Sequence, residues 1–495
     1  MGEGEPPERL PFDGLIADVL RDAASAMRVE ARAEVERSGD RLTLTEGRRV
    51  GSVGVEHVWS FSVMGDDDPP PETPGALIAG EEPPVACRVL ATGTGTLLLS
   101  ARADLGRAIP QATLSLSAGF VHQRLADRLD DLVLDGSVDS TLAGDLLRPD
   151  PDPDDGGFVP LERDLDEEDE DEQSRAVRRA IEPGLRFTWG PPGTGKTGVL
   201  ARAVALAIEA DQRVLVVAHA NAAVDVAAVR IADELEGCDV LTDGRVLRVG
   251  TPHRTDALDR HDVIPERIVA DRHPHLAERR LALEQERRNL SDSARDEPAT
   301  AGGDAVARRV AAIRAELAEL RSDTDEAERE LIEEAMVIVT TIARTVVDDQ
   351  VWQWPADVVV VDEASMAPYP AILALAARGA TTLSCIGDFR QLPPIAISED
   401  VGVQHWLAQD VFTHAAVTET YEAGGRDQRL SILRTQYRMG EQICAAVSAL
   451  AYDNELVTAP AARNRAIRLA ESWPAEGSEV VIVDTTGLGA TCTSP

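Results

Sequence analysis

A glycine-rich loop near the middle of the chain carries the only lysine of the sequence. Residues 190–197 read Gly-Pro-Pro-Gly-Thr-Gly-Lys-Thr, and of the 49 lysines and arginines all but Lys196 are arginine. An ammonium on a flexible stem reaches the β- and γ-phosphates of a nucleotide, whereas the planar guanidinium does not fit such a loop. The pattern therefore predicts an ATP site, and chance survival of one lysine in a glycine-rich turn is the alternative. The predicted phosphate-binding residues are Gly190, Gly193, Thr194, Gly195, Lys196 and Thr197.

Two carboxylates follow a run of four valines downstream of this loop. Residues 358–363 read Val-Val-Val-Val-Asp-Glu, a pattern typical of a buried strand that ends in acidic side chains. We expect Asp362 to hold Mg²⁺ through water, with the hydroxyl of Thr197 as a further ligand. Glu363 would polarise the water that attacks the nucleotide. An ordinary acidic strand end is the alternative, which the loop upstream makes poor.

A third segment, residues 387–394, also follows a predicted strand and reads Gly-Asp-Phe-Arg-Gln-Leu-Pro-Pro. Gln391 could reach the γ-phosphate from there and report its loss. Taken alone this segment is weak evidence, because Gly-Asp and Pro-Pro pairs are common turn formers.

The elements that must position these residues alternate between strands and helices. Apolar runs predict strands at residues 185–189, 213–218, 245–249, 337–340, 357–361 and 382–386, and helices at 198–208 and 221–235. Their continuous apolar character predicts an α/β fold in which a parallel sheet has helices on both faces.

The N-terminal third has a different pattern. Residues 12–37 predict a helix with Leu15, Val19, Ala23, Ala26 and Met27 on one face. Short β-rich runs at 42–64 and 85–116 predict a small β-barrel or sandwich. A second helix is predicted at 120–132, and the acidic stretch 150–172 reads as a solvated linker.

Residues 273–334 interrupt the sheet with a predicted helical arm. Apolar residues recur there in a 4-3 spacing that is typical of a coiled coil, with Leu276, Leu283 and Leu290 as the antiparallel partner and 291–304 as the turn. Such an arm is more often a structural spacer than a partner site. The residues of the seam are Val306, Val310, Ile313, Leu317, Leu320, Thr324, Ala327 and Leu331.

The composition limits the class of protein. The use of arginine in place of lysine favours a GC-rich genome, and the formal charge of −38, from 87 acidic and 49 basic residues, favours a halophilic host; a GC-rich bacterium at ordinary salt is the alternative. The negative charge argues against a broad basic nucleic-acid footprint but permits a local arginine-lined groove. The five cysteines form no CxxC pair, so they indicate neither a zinc site nor a disulfide framework. With no long apolar run and no signal peptide, we expect a cytoplasmic protein without a membrane partner.

Six segments occur in one order that resembles the superfamily 1 helicases, in the branch that contains the nonsense-mediated-decay helicase and the immunoglobulin-mu-binding helicase. They lie at residues 172–177, 190–197, 218–225, 362–365, 387–394 and 436–439. The resemblance covers about residues 160–485 and implies RecA-like P-loop NTPase domains that move on single-stranded DNA or RNA with ATP and Mg²⁺. The oligomeric state is left open.

The resemblance also implies residue roles. Gln173 would read the adenine, and Gln391 would couple hydrolysis to movement. Tyr437 would pack near the base, and Arg438 would touch the γ-phosphate. The residues implied to contact the nucleic-acid strand are Asn221, Thr340 and Thr341.

The expected domains follow from these patterns. They are a stalk helix with a barrel at 1–149, a linker at 150–172, a first RecA-like domain at 173–272 and 335–405, the arm at 273–334, and an incomplete second RecA-like domain at 406–495. Residues 480–485 would start the later half of that second domain. The remaining family motifs have no counterpart, so we expect slow hydrolysis by this chain, with the absent portion as a possible partner in trans.

Three functions stay open at this point. The leading one is an ATP-dependent helicase or translocase. A nucleotide-binding fragment without turnover, or half of a split helicase, is the alternative from another class. An AAA+ remodelling ATPase shares the glycine-rich loop but lacks the segments at 387–394 and 436–439.

Overall fold

The computed structural model describes residues 12–37, 41–53, 56–63, 73–79, 85–93, 95–101, 108–116, 119–136, 138–147, 171–250, 252, 258–296 and 303–463. The predicted linker lies outside these residues except for its last two positions. The predicted strand at 480–485, and residues 297–302 of the predicted turn in the arm, also lie outside them.

A closed antiparallel barrel forms the N-terminal part, which decides between the two predicted β folds. Alternate residues point inward, as the period of a strand requires, so that Leu44, Trp59, Phe61 and Leu99 are buried. Pairing of the first strand with the last closes the barrel, in the order β1-β2-β5-β4-β3-β6. The strands are β1 (Arg41–Val53), β2 (Glu56–Val63), β3 (Pro74–Ile78), β4 (Val85–Gly93), β5 (Thr96–Ala101) and β6 (Ala108–Leu116).

Two helices connect the barrel to the rest of the protein, and we call them the stalk. They are α1 (Phe12–Arg37) and α2 (Phe120–Leu134), and a short α3 (Ser140–Leu147) follows. Ala23, Ala26 and Met27 of the predicted apolar face are buried, and Val19 is partly buried. The stalk helices approach closely at Gly119, where a Cβ would lie 2.4 Å from the carbonyl oxygen of Ala31.

A seven-stranded parallel sheet forms the centre of the fold, in the order β13-β7-β12-β11-β8-β10-β9. Its strands are buried on both faces because one set of alternate residues packs towards the stalk and the other towards α5 and α6. This confirms the predicted α/β class. The strands are β7 (Gly184–Trp189), β8 (Val214–Ala218), β9 (Val246–Arg248), β10 (Val337–Thr341), β11 (Val358–Asp362), β12 (Thr382–Gly387) and β13 (Leu430–Ile432).

One strand of this sheet corrects the predicted layout. β13 pairs in parallel with β7, although the sequence assigned residues after 405 to the second domain. A separate two-stranded parallel sheet follows, made of β14 (Thr435–Gln436) and β15 (Val457–Thr458).

The remaining helices cover the sheet or form the arm. Among the described residues, no helix has the length and apolarity needed to cross a membrane. The helices are α4 (Glu172–Ala180), α5 (Lys196–Glu209), α6 (Asn221–Glu234), α7 (Asp239–Thr242), α8 (Pro265–Arg272), α9 (Pro274–Asp296), α10 (Gly303–Glu334), α11 (Ile342–Val347), α12 (Asp349–Gln353), α13 (Tyr369–Ala376), α14 (Val401–Leu407), α15 (Val411–His414), α16 (Val417–Glu422) and α17 (Glu441–Ala451).

The arm consists of α9 and α10, which pack against each other. Leu283 of α9 is buried with Ile313 and Leu317 of α10, and Leu290 and Leu320 pack beside them. These five residues all belong to the predicted seam and its predicted partner. The contact is therefore made by the side chains that the heptad spacing selected.

Candidate nucleotide site

The glycine-rich loop connects the end of β7 to the start of α5. Gly193 and Gly195 have φ of +84° and +90°, a left-handed region that L side chains rarely adopt. Space is also short, since a Cβ on Gly195 would lie 2.6 Å from Nε2 of Gln173. The Nζ of Lys196 donates to the carbonyl oxygen of Gly190 at 2.8 Å, which holds the ammonium over the loop. The backbone of the loop and the helix N-terminus are thus arranged for an anion.

The carboxyl ends of neighbouring strands bring the other candidate residues to the same edge. Trp189 at the end of β7 lies opposite Gly387 of β12, and the N–H of Gly190 donates to the Gly387 carbonyl at 3.1 Å. On the other side of β12, β11 ends at Asp362. Parallel pairing therefore gathers the three segments that the sequence singled out.

The two neighbouring carboxylates occupy different environments. Asp362 is buried, and burial together with the charge of Glu363 raises its pKa to about 7, against the opposing charge of Lys196. Glu363 is half-buried and has φ +50°, ψ +43°, a left-handed conformation that is strained for a residue with a side chain. Its N–H donates to Oδ1 of Asp362 at 3.0 Å.

These residues fit a divalent cation. The raised pKa of Asp362 reflects a buried negative charge that the protein compensates incompletely. Oxygen donors of this kind are the ligands that Mg²⁺ prefers, and Thr197 supplies a hydroxyl at the start of α5. Asp362 and Thr197 are therefore the residues that could hold the metal.

Asp388 organises the segment that contains Gln391. It is fully buried and accepts hydrogen bonds from Nε1 of Trp189 at 2.9 Å, Nε2 of Gln391 at 2.9 Å and the hydroxyl of Tyr452 at 2.8 Å. Gln391 is therefore tied to the strand that leads into the glycine-rich loop. Sequence reasoning named this segment but gave Asp388 no role.

An aromatic cluster lies behind the loop and joins early and late parts of the chain. The ring of Trp189 stacks on Phe389 at a centroid distance of 4.9 Å, with Tyr421 at 5.0 Å and Tyr452 at 6.3 Å. The guanidinium of Arg390 lies 5.5 Å from the Trp189 ring centroid. Aromatic contacts of this type add stabilisation beyond burial alone.

Gln173, the predicted adenine reader, contacts the loop itself. Its Nε2 donates to the carbonyl oxygen of Thr194 at 2.9 Å, and its Oε1 accepts from Arg202 at 3.1 Å. Asp171 caps α4 by accepting from the N–H groups of Gln173 and Ser174. The structure thus places Gln173 at the site while committing its side-chain amide to protein partners.

The segment at 436–439 also reaches the loop. The N–H of Tyr437 donates to the Gly193 carbonyl at 2.8 Å, and a Cβ on Gly193 would lie 2.6 Å from Cβ of Arg438. Gln436 fixes this turn, since its Oε1 accepts from the N–H groups of Arg438 at 2.9 Å and Met439 at 2.7 Å. Tyr437 and Arg438 are both exposed, and the backbone bond from Tyr437 to Gly193 holds them beside the loop.

The three residues predicted to contact nucleic acid have buried side chains. The hydroxyl of Thr340 donates to the Val249 carbonyl at 2.8 Å, and that of Thr341 caps α11 by accepting from the Arg344 N–H at 3.0 Å. Asn221 is 5% exposed. These side chains are engaged within the protein, so the structure does not present them to a strand.

Asn221 instead connects the barrel to α6. Its Nδ2 donates to the Leu90 carbonyl at 2.9 Å, and its Oδ1 accepts from Arg248 at 2.7 Å. Leu90 sits at a register shift in the pairing of β4 with β5, where a carbonyl can leave the ladder. The fully buried Arg248 also donates to Asp225 at 2.9 Å. Arg248 was not among the predicted site residues. A charged residue within a short apolar strand is the feature of the sequence that could have indicated it.

Comparisons with known proteins agree with this geometry. Two family models, both described as AAA domain, match residues 168–399 and 412–494. The "Uncharacterized ATP-dependent helicase MJ0104" of Methanocaldococcus jannaschii is 27% identical over 333 residues, and the "ATP-dependent helicase upf1" of Schizosaccharomyces pombe is 29% identical over 280. The "DNA-binding protein SMUBP-2" of Mus musculus is 26% identical over 332 residues. The chain thus matches AAA domain models in two places and is similar to helicases of the superfamily 1 branch named above.

The alignments cover different shares of the proteins involved. The alignment with the archaeal protein covers 59% of this chain and 46% of that relative. The alignment with the yeast protein covers 54% and 26%, and that with the mouse protein covers 64% and 30%. The chain therefore spans less than half the length of each relative. The solved structure of PRRSV helicase matches at 14% identity and a TM-score of 0.26, over 78% of this chain and 47% of that one, a likeness too low to support an argument.

Proposed function

We propose that this protein is an ATP-driven helicase or translocase that acts on single-stranded DNA or RNA. The observation that carries the proposal is the meeting of three segments at one edge of the sheet. Lys196 lies over the glycine-rich loop, Asp362 and Glu363 end β11, and Gln391 is tied through Asp388 to the strand that precedes the loop. The bond between Tyr437 and Gly193 adds a contact from the segment after β13.

The site residues then divide the work. Lys196 and the loop amides would bind the phosphates. Gln173 and Tyr437 would hold the base after the side chain of Gln173 leaves Thr194 and Arg202. Glu363 would polarise the attacking water, and Arg438 would stabilise charge on the γ-phosphate. Mg²⁺ held by Thr197 and Asp362 would neutralise phosphate charge. Positioning and electrostatics of this kind account for most of the catalysis of phosphoryl transfer.

Nucleic acid would bind along the barrel side of the sheet. Asn221, Thr340 and Thr341 lie at the carboxyl ends of the adjacent strands β8 and β10 or shortly after them, and Asn221 contacts the barrel. Because their side chains are buried, a strand would meet the backbone of these segments or would first displace the barrel carbonyl at Leu90. The printed names of the relatives, one a DNA-binding protein and two ATP-dependent helicases, support nucleic acid as the partner.

Three finer features belong to the same proposal. The packing of Leu283 against Ile313 and Leu317 supports a coiled-coil geometry for the arm. The formal charge of −38 supports a halophilic host. Residues after 432 would begin a second RecA-like domain, with any further portion of that domain acting in cis or in trans.

Steady-state ATP hydrolysis with and without single-stranded DNA or RNA tests the proposal. The protein should hydrolyse ATP, and a strand should raise the rate. Lys196→Ala should lower the rate by about a hundredfold or more, because the phosphate contact is lost in the ground and transition states. Arg213→Ala is the control, since Arg213 lies on the far end of the sheet from the loop, just before β8. Equal rates in wild type and Lys196→Ala would instead favour a nucleotide-binding module without turnover.

A further inference from the structure

A buried carboxylate of the stalk holds the loop that follows the nucleotide site. Glu30 of α1 is 1% exposed, and its two oxygens accept from the N–H groups of Ile397 at 2.6 Å and Ser398 at 2.9 Å. Burying a carboxylate is costly unless it is hydrogen-bonded, and charge-assisted bonds to two successive amides are stronger than neutral ones. This contact joins residues that are 367 and 368 positions apart in the chain.

The segment that Glu30 holds, residues 391–400, begins at the nucleotide site, and we call it the Gln391 loop. It contains neither helix nor strand, so its position depends on its anchors. At one end Gln391 donates to Asp388. The preceding residue, Gly387, accepts from the N–H of Gly190 in the glycine-rich loop. At the other end Trp406 of α14 donates to Asp22 of α1 at 2.9 Å. Asp22 and Glu30 are separated by about 12 Å along the helix, so α1 contacts both the Gln391 loop and the helix that follows it.

The same helix leads directly into the barrel. α1 ends at Arg37 and β1 begins at Arg41, while β6 ends at Leu116 and α2 begins at Phe120. Arg28 of α1 also pairs with Asp130 of α2, which ties together the helices that enter and leave the barrel. The barrel in turn contacts α6 through the Leu90 carbonyl and Asn221. A continuous set of contacts thus runs from Lys196 and Gly190 to the segment proposed to bind nucleic acid.

We propose that Glu30 is a positioning residue that couples the Gln391 loop to the barrel. This inference rests on the proposed function. A shift of the Gln391 loop on nucleotide binding would be transmitted to α1 through the two bonds of Glu30, and α1 would then move the barrel relative to Asn221. Nucleotide would thereby control access of a strand to the carboxyl ends of β8 and β10. Such coupling requires two arrangements of the protein that differ in free energy. Nucleotide at the loop and a strand at the barrel contact must each favour one of these arrangements over the other.

Amide hydrogen exchange with and without Mg²⁺ and a non-hydrolysable ATP analogue tests this coupling. Protection of residues 190–197 reports nucleotide binding, and exchange in β4 and at the start of α6 reports the barrel contact. In wild type the analogue should change exchange at both places, by about fivefold or more at β4. Glu30→Ala should keep the protection of residues 190–197 and lose most of the response at β4, leaving less than about twofold. Glu30→Gln keeps the size of the side chain and one acceptor, and should give an intermediate response.

A matched control lies one turn further along α1. Glu34 is the same residue type and is 4% exposed, but it pairs with Nδ1 of His122 at 3.0 Å instead of the Gln391 loop. Glu34→Gln should respond like wild type. In hydrolysis assays, Glu30→Ala should keep the KM for ATP and the basal kcat while losing stimulation by a single strand.

The outcomes separate this inference from the proposed function. A wild-type response at β4 in both Glu30 variants, with residues 190–197 protected, overturns the coupling and leaves the proposed function standing. If Glu30→Ala melts well below wild type, Glu30→Gln alone is used. A wild-type exchange response at β4 in Glu30→Gln, with residues 190–197 protected, then overturns the coupling. Absence of protection at residues 190–197 in wild type overturns the proposed function itself and the coupling with it.

Discussion

At the scale of single residues, the site separates two adjacent carboxylates by their surroundings. Asp362 is buried at the end of β11, and desolvation and the neighbouring charge of Glu363 raise its pKa to about 7. A buried carboxylate whose negative charge is incompletely compensated is suited to bind a cation. Glu363 is half-buried and has a left-handed backbone conformation that a residue with a side chain rarely adopts. Asp362 and Glu363 therefore differ in burial and in backbone conformation.

Substitution of each carboxylate by its amide should therefore have a different effect. Glu363→Gln should leave Mg-ATP affinity within about twofold and lower kcat by about 10²- to 10⁴-fold, because the water-polarising charge is lost while shape is kept. Asp362→Asn should weaken the Mg²⁺ dependence of nucleotide binding. Titrations of nucleotide at several Mg²⁺ concentrations, with turnover measured in parallel, check both. Equal and mild effects of the two changes on turnover would contradict the division of roles.

At the scale of elements, the arm depends on a small set of apolar contacts. Ile313 of α10 is fully buried against Leu283 of α9, whereas Leu281 of α9 is 68% exposed. Ile313→Ala should lower the local stability of the arm by about 2–5 kcal/mol because it leaves a cavity. Leu281→Ala should change it by less than about 0.5 kcal/mol. Limited proteolysis within residues 274–334 measures the difference, and nucleotide affinity should stay unchanged in both. Equal cleavage rates for the two variants would show that this packing does not hold the arm together.

The sequence predicts elements well where the signal is local. Six strands of the parallel sheet were predicted within a few residues, since each is a continuous apolar run. β13 was missed because it has three residues and gains its stability from pairing with β7, which lies far away in the sequence. Barrel and sandwich could not be separated for the same reason, as closure depends on the long-range pairing of β1 with β6.

The site divides along the same line. The loop with Lys196 and the pair at 362–363 are short contiguous motifs, so the sequence contains them whole. Asp388, Arg248 and Glu30 were not found, because their roles arise from contacts with distant partners, such as Tyr452, Asn221 and Ile397. The sequence can place a polar residue near a strand end, but only the fold determines which groups surround it.

At the scale of the whole molecule, the acidic excess should make stability depend on salt. The formal charge of −38 implies repulsion among surface carboxylates, which salt screens as the Debye length falls from about 10 Å at 0.1 M to about 3 Å at 1 M. The melting temperature should therefore rise between about 0.1 M and about 2 M KCl. Thermal melts in that series, with sucrose at matched osmolality as the uncharged control, measure the effect. A flat or falling series would point to a host at ordinary salt.

In the proposed function, nucleotide at the Lys196 loop controls binding of single-stranded nucleic acid at the barrel side of the sheet. The most direct test is the affinity for a labelled single strand, by fluorescence anisotropy, with and without Mg²⁺ and a non-hydrolysable ATP analogue. This readout does not depend on the rate of hydrolysis. We expect the analogue to change the Kd by about fivefold or more in wild type and to leave it unchanged in Lys196→Ala. Equal affinities with and without the analogue in wild type, or the same shift in Lys196→Ala, would contradict it.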